Sequence, residues 1–209
     1  LMMFCVMLLA GTLAGCVDTE DTSKSESKPK KESTEKVIVN NDFIKATYLG
    51  MKKEYGLVTK HFLPSCVQTA ITCLPLLLFL IITGQVHTYL PFQSISLTKE
   101  ILASSFPTNI LGYLFISLIW GFWEGFNYVL IAQKINLRYP QKGNGFWNLG
   151  ALICALICLL VHGMIGLNPS SLLQESTVFI LIYGMLQIHR RTGNAWGCIL
   201  IFFLLWNAF

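Results

Sequence analysis

From residue 65 to the end of the sequence, the chain carries five apolar stretches, roughly 66–86, 108–133, 147–167, 173–188 and 195–209, with very few charges inside them. A helix that is apolar on every side has to be buried in protein or in lipid. About 20 apolar residues is the length that crosses a bilayer as a helix. Lipid offers the backbone no hydrogen-bond partners, so a spanning segment must satisfy its own amides. The sequence therefore predicts an all-α fold, a polytopic transmembrane bundle of about five spans over 65–209. The stretches 173–188 and 195–209 are the shortest of the five, and Pro75 within the first predicts a kink. Composition agrees: 54% of residues are hydrophobic, 12% are charged and the mean hydropathy is +0.58, outside the range of ordinary soluble domains.

The remaining charge lies outside the spans. Eight of the eleven acidic residues fall before residue 60, and only Glu100, Glu124 and Glu175 follow. Lys45, Lys52, Lys53 and Lys60 precede the first span; Lys134, Arg138 and Lys142 follow the second; Arg190 and Arg191 follow the fourth. The other two loops hold Lys99 alone. The positive-inside rule puts those three basic regions in the cytoplasm. The net charge of +4 thus reports membrane topology, and membrane lipids rather than nucleic acid are the expected surroundings. Seven cysteines, mostly within apolar stretches, behave as small hydrophobes and not as a disulfide framework.

The first 64 residues differ in kind. Residues 1–16, LMMFCVMLLAGTLAGC, form a signal-like apolar run whose end resembles the lipobox of a bacterial or archaeal lipoprotein, which implies lipidation at Cys16. Residues 17–36 contain no aromatic and almost nothing apolar, the composition of a disordered polar tether. Residues 37–64 interleave Phe43, Ile44, Tyr48, Leu49, Met51, Tyr55 and Leu57 with lysines, which predicts an amphipathic interfacial segment. A lipidated Cys16 would lie outside the cell, whereas the loop charges place the residues before span one inside. The two readings exclude each other in a five-span bundle. The loop charges orient the bundle, and the side on which the N-terminus lies stays open.

Within the spans the ionisable groups are few. The stretch WGFWEGFNYV (120–129) places Glu124 alone in a long uncharged run, and His162 falls in the third span. A charged group near the bilayer centre costs about 2.5–3.5 kcal/mol on insertion scales, so it faces the protein interior and marks a functional site. A carboxylate beside an imidazole can activate a water molecule and stabilise the charge that develops. The same pair can equally serve as a hydrogen bond that specifies helix packing. Glu175 is close enough to a loop for a structural role. Gly121 and Gly125, four residues apart, would admit another backbone beside Glu124, while Asn127 and Tyr128 are placed to bring polar groups to the same face. Cys154, Cys158 and His162 recur at four-residue intervals. With Glu124 they make a Cys/Cys/His/Glu set for zinc, spread over two turns where one ion needs convergent ligands.

This order of features, a Glu-bearing helix, a helix with a His and an RTGN-AW turn before a last apolar helix, resembles the CAAX-protease and bacteriocin-processing family of intramembrane proteases (CPBP, or Abi). The strongest likeness is in IYGMLQIHRRTGNAWGCILIFFLLWN (182–207), and it covers about 108–209. The family pattern is Glu-Glu-x-x-x-Arg, then Phe-x-x-x-His, then His-x-x-x-Asn or Asp. Glu124 matches one Glu of the pair, with Tyr128 or Val129 where the arginine falls. His162 matches the second motif, with Cys158 in place of Phe. In the third, Phe202 takes the His position and Trp206 the Asn position, with Asn207 one residue late. The resemblance implies a multi-pass protein of a prokaryotic cell membrane in which Glu124 is the general base, His162 assists, and a membrane peptide or protein is the substrate. Loss of one oxyanion donor costs about 10²–10³ in rate. The departures therefore favour, as the alternative, an inactive relative that binds a peptide or protein partner. A small transporter or channel using Glu124 as a proton or cation site is a third class, and spans one, four and five offer it little polar lining.

The lipobox reading is checked by mass spectrometry of membrane-extracted protein. It predicts a peptide that begins at Cys16 and carries a diacylglyceryl adduct; an unmodified Cys16 inside a longer peptide contradicts it.

Overall fold

Small residues face inward and large apolar ones outward along the first helix, α1 (Phe62–Ile82). Ser65, Thr69 and Cys73, one turn apart, are buried, while Leu63, Val67, Ile71, Leu74, Leu78 and Ile81 are exposed. In water this pattern would be inside out. In lipid it is expected, because close helix packing there relies on small residues and the large side chains meet the acyl chains. The Thr69 hydroxyl is satisfied by the Ser65 carbonyl at 2.7 Å. Pro75 is accommodated within α1 without ending it.

In the computed structural model, residues 50, 52–86, 88–141, 145, 147–163 and 166–209 are described. The segments 1–16 and 17–36, Cys16, and half of 37–64 lie outside them. After α1 come a short α2 (Leu97–Ala103) and α3 (Thr108–Ile116). The latter runs on through a π-helical stretch, Ser117–Trp123, into α4 (Glu124–Arg138). Then follow α5 (Leu149–Val161), α6 (Pro169–Thr192) and α7 (Trp196–Ile201), which continues as a second π-helical stretch, Phe202–Trp206. No strand occurs among the described residues. Among the described residues, three helices are long and apolar enough to cross a membrane: α1, the Thr108–Arg138 rod and α6. The segments Leu149–Val161 and Trp196–Trp206 are apolar but shorter.

The element lengths differ from expectation in two places. Hydropathy predicts only 173–188 for the fourth span, yet α6 has 24 residues. Its polar ends read as loop but are satisfied in place. Asn168 caps the N-terminus by accepting from Ser171 N at 2.8 Å, and Pro169 occupies the first turn, where its missing N–H costs nothing. Glu175 accepts from Gly166 N, the structural role expected of it, and Gln187 is bonded to Asn148 and to Gly145 O. Helix α6 stops at Gly193, whose φ of 64° is left-handed and whose N–H returns to His189 O at 2.8 Å. The third span, expected over 147–167, is helical only to Val161.

Helix α6 is central, with Val178, Leu181, Ile182, Met185 and Leu186 all buried against the neighbouring helices. Asn148 fixes the α4–α5 connection: it caps α5 through Ala151 N, accepts from Asn136 Nδ2 at 2.7 Å and donates to Gln187 at 3.1 Å. The three basic regions meet at one end of the bundle. Gln133 donates to Glu54 O, and Lys134 Nζ lies 5.6 Å from the Tyr55 ring centre. The buried Asn194 donates to Val58 O and Lys60 O, and Arg190 donates to Trp147 O. A Cβ on Gly150 would collide with the Ala132 carbonyl. Gly150→Val should therefore destabilise the bundle by about 1–3 kcal/mol or more, read as a lower Tm in detergent. Gly145→Ala, with nothing within 4 Å, should leave Tm within about a degree of wild type.

Candidate functional site

Each of the two π-helical stretches hands over to one polar side chain. The first ends at Trp123, so Glu124 opens α4; the second ends at Trp206, so Asn207 follows it. The wider π turn is rare and frequently found at functional sites. The two stretches pack against each other, and small residues make this approach possible. A Cβ on Gly121 would lie 2.8 Å from the Phe203 ring, and one on Gly125 would lie 2.8 Å from Ile199 Cα. The glycine pair beside Glu124 thus admits a second backbone, as its spacing predicts, and that backbone belongs to the last helix.

The carboxyl of Glu124 consequently lies close to the Asn207 side chain, with no hydrogen bond in place between them. Glu124 is only 6% exposed. Its Oε2 atom has no hydrogen-bond partner among the described residues, and neither does Asn207 Nδ2. The other end of the Asn207 amide is occupied, since Oδ1 accepts from Ser94 Oγ at 2.9 Å. The backbone strengthens the same contact: Ser94 N donates to Asn207 O and Leu90 N to Ala208 O, both at 3.2 Å. A buried carboxylate oxygen without a donor costs on the order of 1–3 kcal/mol or more, the pattern of a group retained for something other than stability.

The other expected site residues divide. Tyr128 belongs with Glu124: its ring stacks on Phe202 with centroids 5.4 Å apart, and its phenol interacts with both the Glu124 carboxyl and the Cys158 thiol. Asn127 is half-buried on α4 and is not among the groups that act on Glu124. His162 is not embedded within its helix. It is the C-cap of α5, exposed, with its ring 5.6 Å from that of Trp206. The last helix covers the glycine face, which brings Asn207 near Glu124, while His162 lies at the C-terminal end of α5. Phe202, at the third-motif His position, is a fully buried core side chain.

His162 and Asn207 do share a cavity of about 460 Å³. Its polar lining is Gln85, Ser94, His162, Gln174 and Asn207; its apolar lining includes Leu76, Leu77, Leu80, Val178, Leu181 and Trp206. Glu124 is not among the residues that line it. Length accounts for the space. At 1.5 Å per residue, α5 covers about 20 Å against about 32 Å for α1, so α5 stops short and leaves room at the end remote from the basic cluster. Sequence reasoning missed Ser94, Gln85 and Gln174. Only Gln174, a polar residue in the first turns of a spanning helix, carried a signal.

The side chains do not fit a metal. Among the described residues no three His, Cys, Asp or Glu groups come together as a ligand set. Cys154 and Cys158 turn to Tyr128, with Cys154 Sγ 3.8 Å from Tyr128 O, and His162 stands apart at the helix end. The Cys154, Cys158, His162 and Glu124 set weighed for zinc is not brought together among the described residues. The chain matches no protein-family profile, no curated protein and no solved structure.

If the Glu124 carboxyl is underpaired as described, replacing it with an apolar side chain of similar size should relieve strain. Glu124→Met should raise unfolding stability in detergent by about 1–3 kcal/mol, seen as an increase in Tm. A loss of more than about 1 kcal/mol would mean that the carboxyl has a full set of partners.

Proposed function

We propose that this chain is a five-span helical protein of a prokaryotic cell membrane, akin to the CPBP family, whose cavity binds a membrane peptide or protein partner without cleaving it. The basic end faces the cytoplasm and the cavity opens toward the opposite side. The observation that carries the reading is the separation of the two candidate catalytic groups. His162 and Asn207 line the cavity, while Glu124 is buried and is not among its lining residues. A general base and its assistant must both come within about 2.6–3.2 Å, directly or through one water, of the group they act on. An apolar cleft with a few convergent polar groups is the ordinary form of a ligand site. Three long apolar helices and two shorter ones among the described residues support the reading of five crossings.

A second reading, hydrolysis of a peptide bond with Glu124 as general base and His162 assisting, is favoured by one observation: the unpaired Glu124 Oε2. It requires Asn207 to swing aside so that water reaches the carboxyl. The two readings part in one experiment. Protein in liposomes is mixed with single-span peptides bearing a photo-crosslinker, and mass spectrometry reads both adducts and fragments. Binding predicts full-length peptide crosslinked to the wild type and, equally, to Glu124→Gln. Fragments that disappear in both Glu124→Gln and His162→Ala would establish the protease instead. The absence of any adduct would overturn both.

A further inference from the structure

The chemistry of the cavity wall narrows what the ligand can be, given the peptide-binding reading above. We infer that the cavity takes an uncharged, non-helical stretch of apolar peptide, and that the amide side chains of Gln85, Gln174 and Asn207 select it by bonding to its backbone. Three observations lead there. The first is the nature of the polar lining. Gln and Asn each carry a donor and an acceptor, the same pair that every peptide unit presents. The second is the absence of charge. No Asp, Glu, Lys or Arg is found among the residues lining the cavity. Arg and Lys are the usual partners of phosphate and carboxylate, and here the exposed cations Lys52, Lys53, Lys60, Lys134, Arg190 and Arg191 sit at the other end of the bundle. A ligand charge entering the cavity would lose its hydration without gaining a counter-ion. The third is unused hydrogen-bonding capacity. The buried Asn207 Nδ2 has no partner among the described residues, and Gln85, whose amide donates to Thr83 Oγ1 at 2.9 Å, also lines the cavity.

The membrane supplies the selection. A helical segment satisfies its own backbone in lipid and gains nothing from these amides, whereas an unwound segment carries unmade hydrogen bonds at several kcal/mol each. Such a segment is stabilised wherever protein amides meet it. The apolar wall of Leu76, Leu77, Leu80, Val178 and Leu181 then takes its side chains.

The test uses full-length protein in liposomes and three photo-crosslinking peptides of equal length. One is a continuous Leu/Ala helix, one carries a central Gly-Pro break, and one carries the same break with a lysine beside it. The inference predicts that the neutral broken peptide labels the cavity most strongly, about three- to tenfold over the other two. Gln174→Leu, which should fold because it adds only apolar surface, should remove most of that preference, and Gln174→Asn should keep part of it. Equal labelling by all three peptides would overturn the inference while leaving peptide binding intact. Labelling of the cavity by a photo-reactive phospholipid that no peptide competes away would overturn both.

Discussion

The last helix lies against α4 at Gly125, where there is no room for even a Cβ beside the backbone of Cys198 and Ile199. That contact decides which side chains meet. It carries Phe202 onto Tyr128, Phe203 onto Gly121 and Asn207 onto Glu124. Without hydrophobic attraction between helices in lipid, close approach at small residues is what holds such a pair together. The same rule shapes α1, where Ser65 and Thr69 receive Gly197. A larger residue at any of these positions would push the last helix away and separate Asn207 from the carboxyl.

Much of this was legible in the residues. The burial of Glu124 followed from its isolation in an uncharged run, the close approach from the spacing of Gly121 and Gly125, and the meeting of the three basic regions from their distribution among the loops. The identity of the partner was not legible. Spacing along one helix says which face is special but not which helix will cover it. His162 was a plausible partner by order in the chain, and the early end of α5 removed it. The limits of α6 failed for a related reason. Hydropathy treats Gln174, Glu175 and Gln187 as boundary residues, yet the Asn168 cap and hydrogen bonds of Glu175 and Gln187 with Gly166, Asn148 and Gly145 hold the ends of the helix in place.

The departures from the CPBP pattern acquire a physical meaning in this arrangement. Phe202 is not an exposed stand-in for a catalytic histidine. It is a core side chain stacked between Tyr128 and Trp206. Asn207 is one residue late by the motif, but the π-helical turns that precede it change the phase of the helix. It thereby still reaches the carboxyl. A site with a buried carboxylate near an amide, while the imidazole lines a neighbouring cavity, fits the proposed reading of recognition. Retaining a poorly paired carboxyl against its cost in stability is consistent with a site selected for function.

The nearness of Glu124 to Asn207 rather than to His162 is the claim on which the rest stands, and a pair of double-mutant cycles measures it. Unfolding stabilities in detergent would be compared for Glu124→Gln, Asn207→Leu and His162→Ala, singly and in the two pairs that include Glu124→Gln. The arrangement predicts a coupling energy of about 0.5–3 kcal/mol between Glu124 and Asn207, and additivity within about 0.5 kcal/mol between Glu124 and His162. Coupling of Glu124 to His162, with none to Asn207, would contradict it.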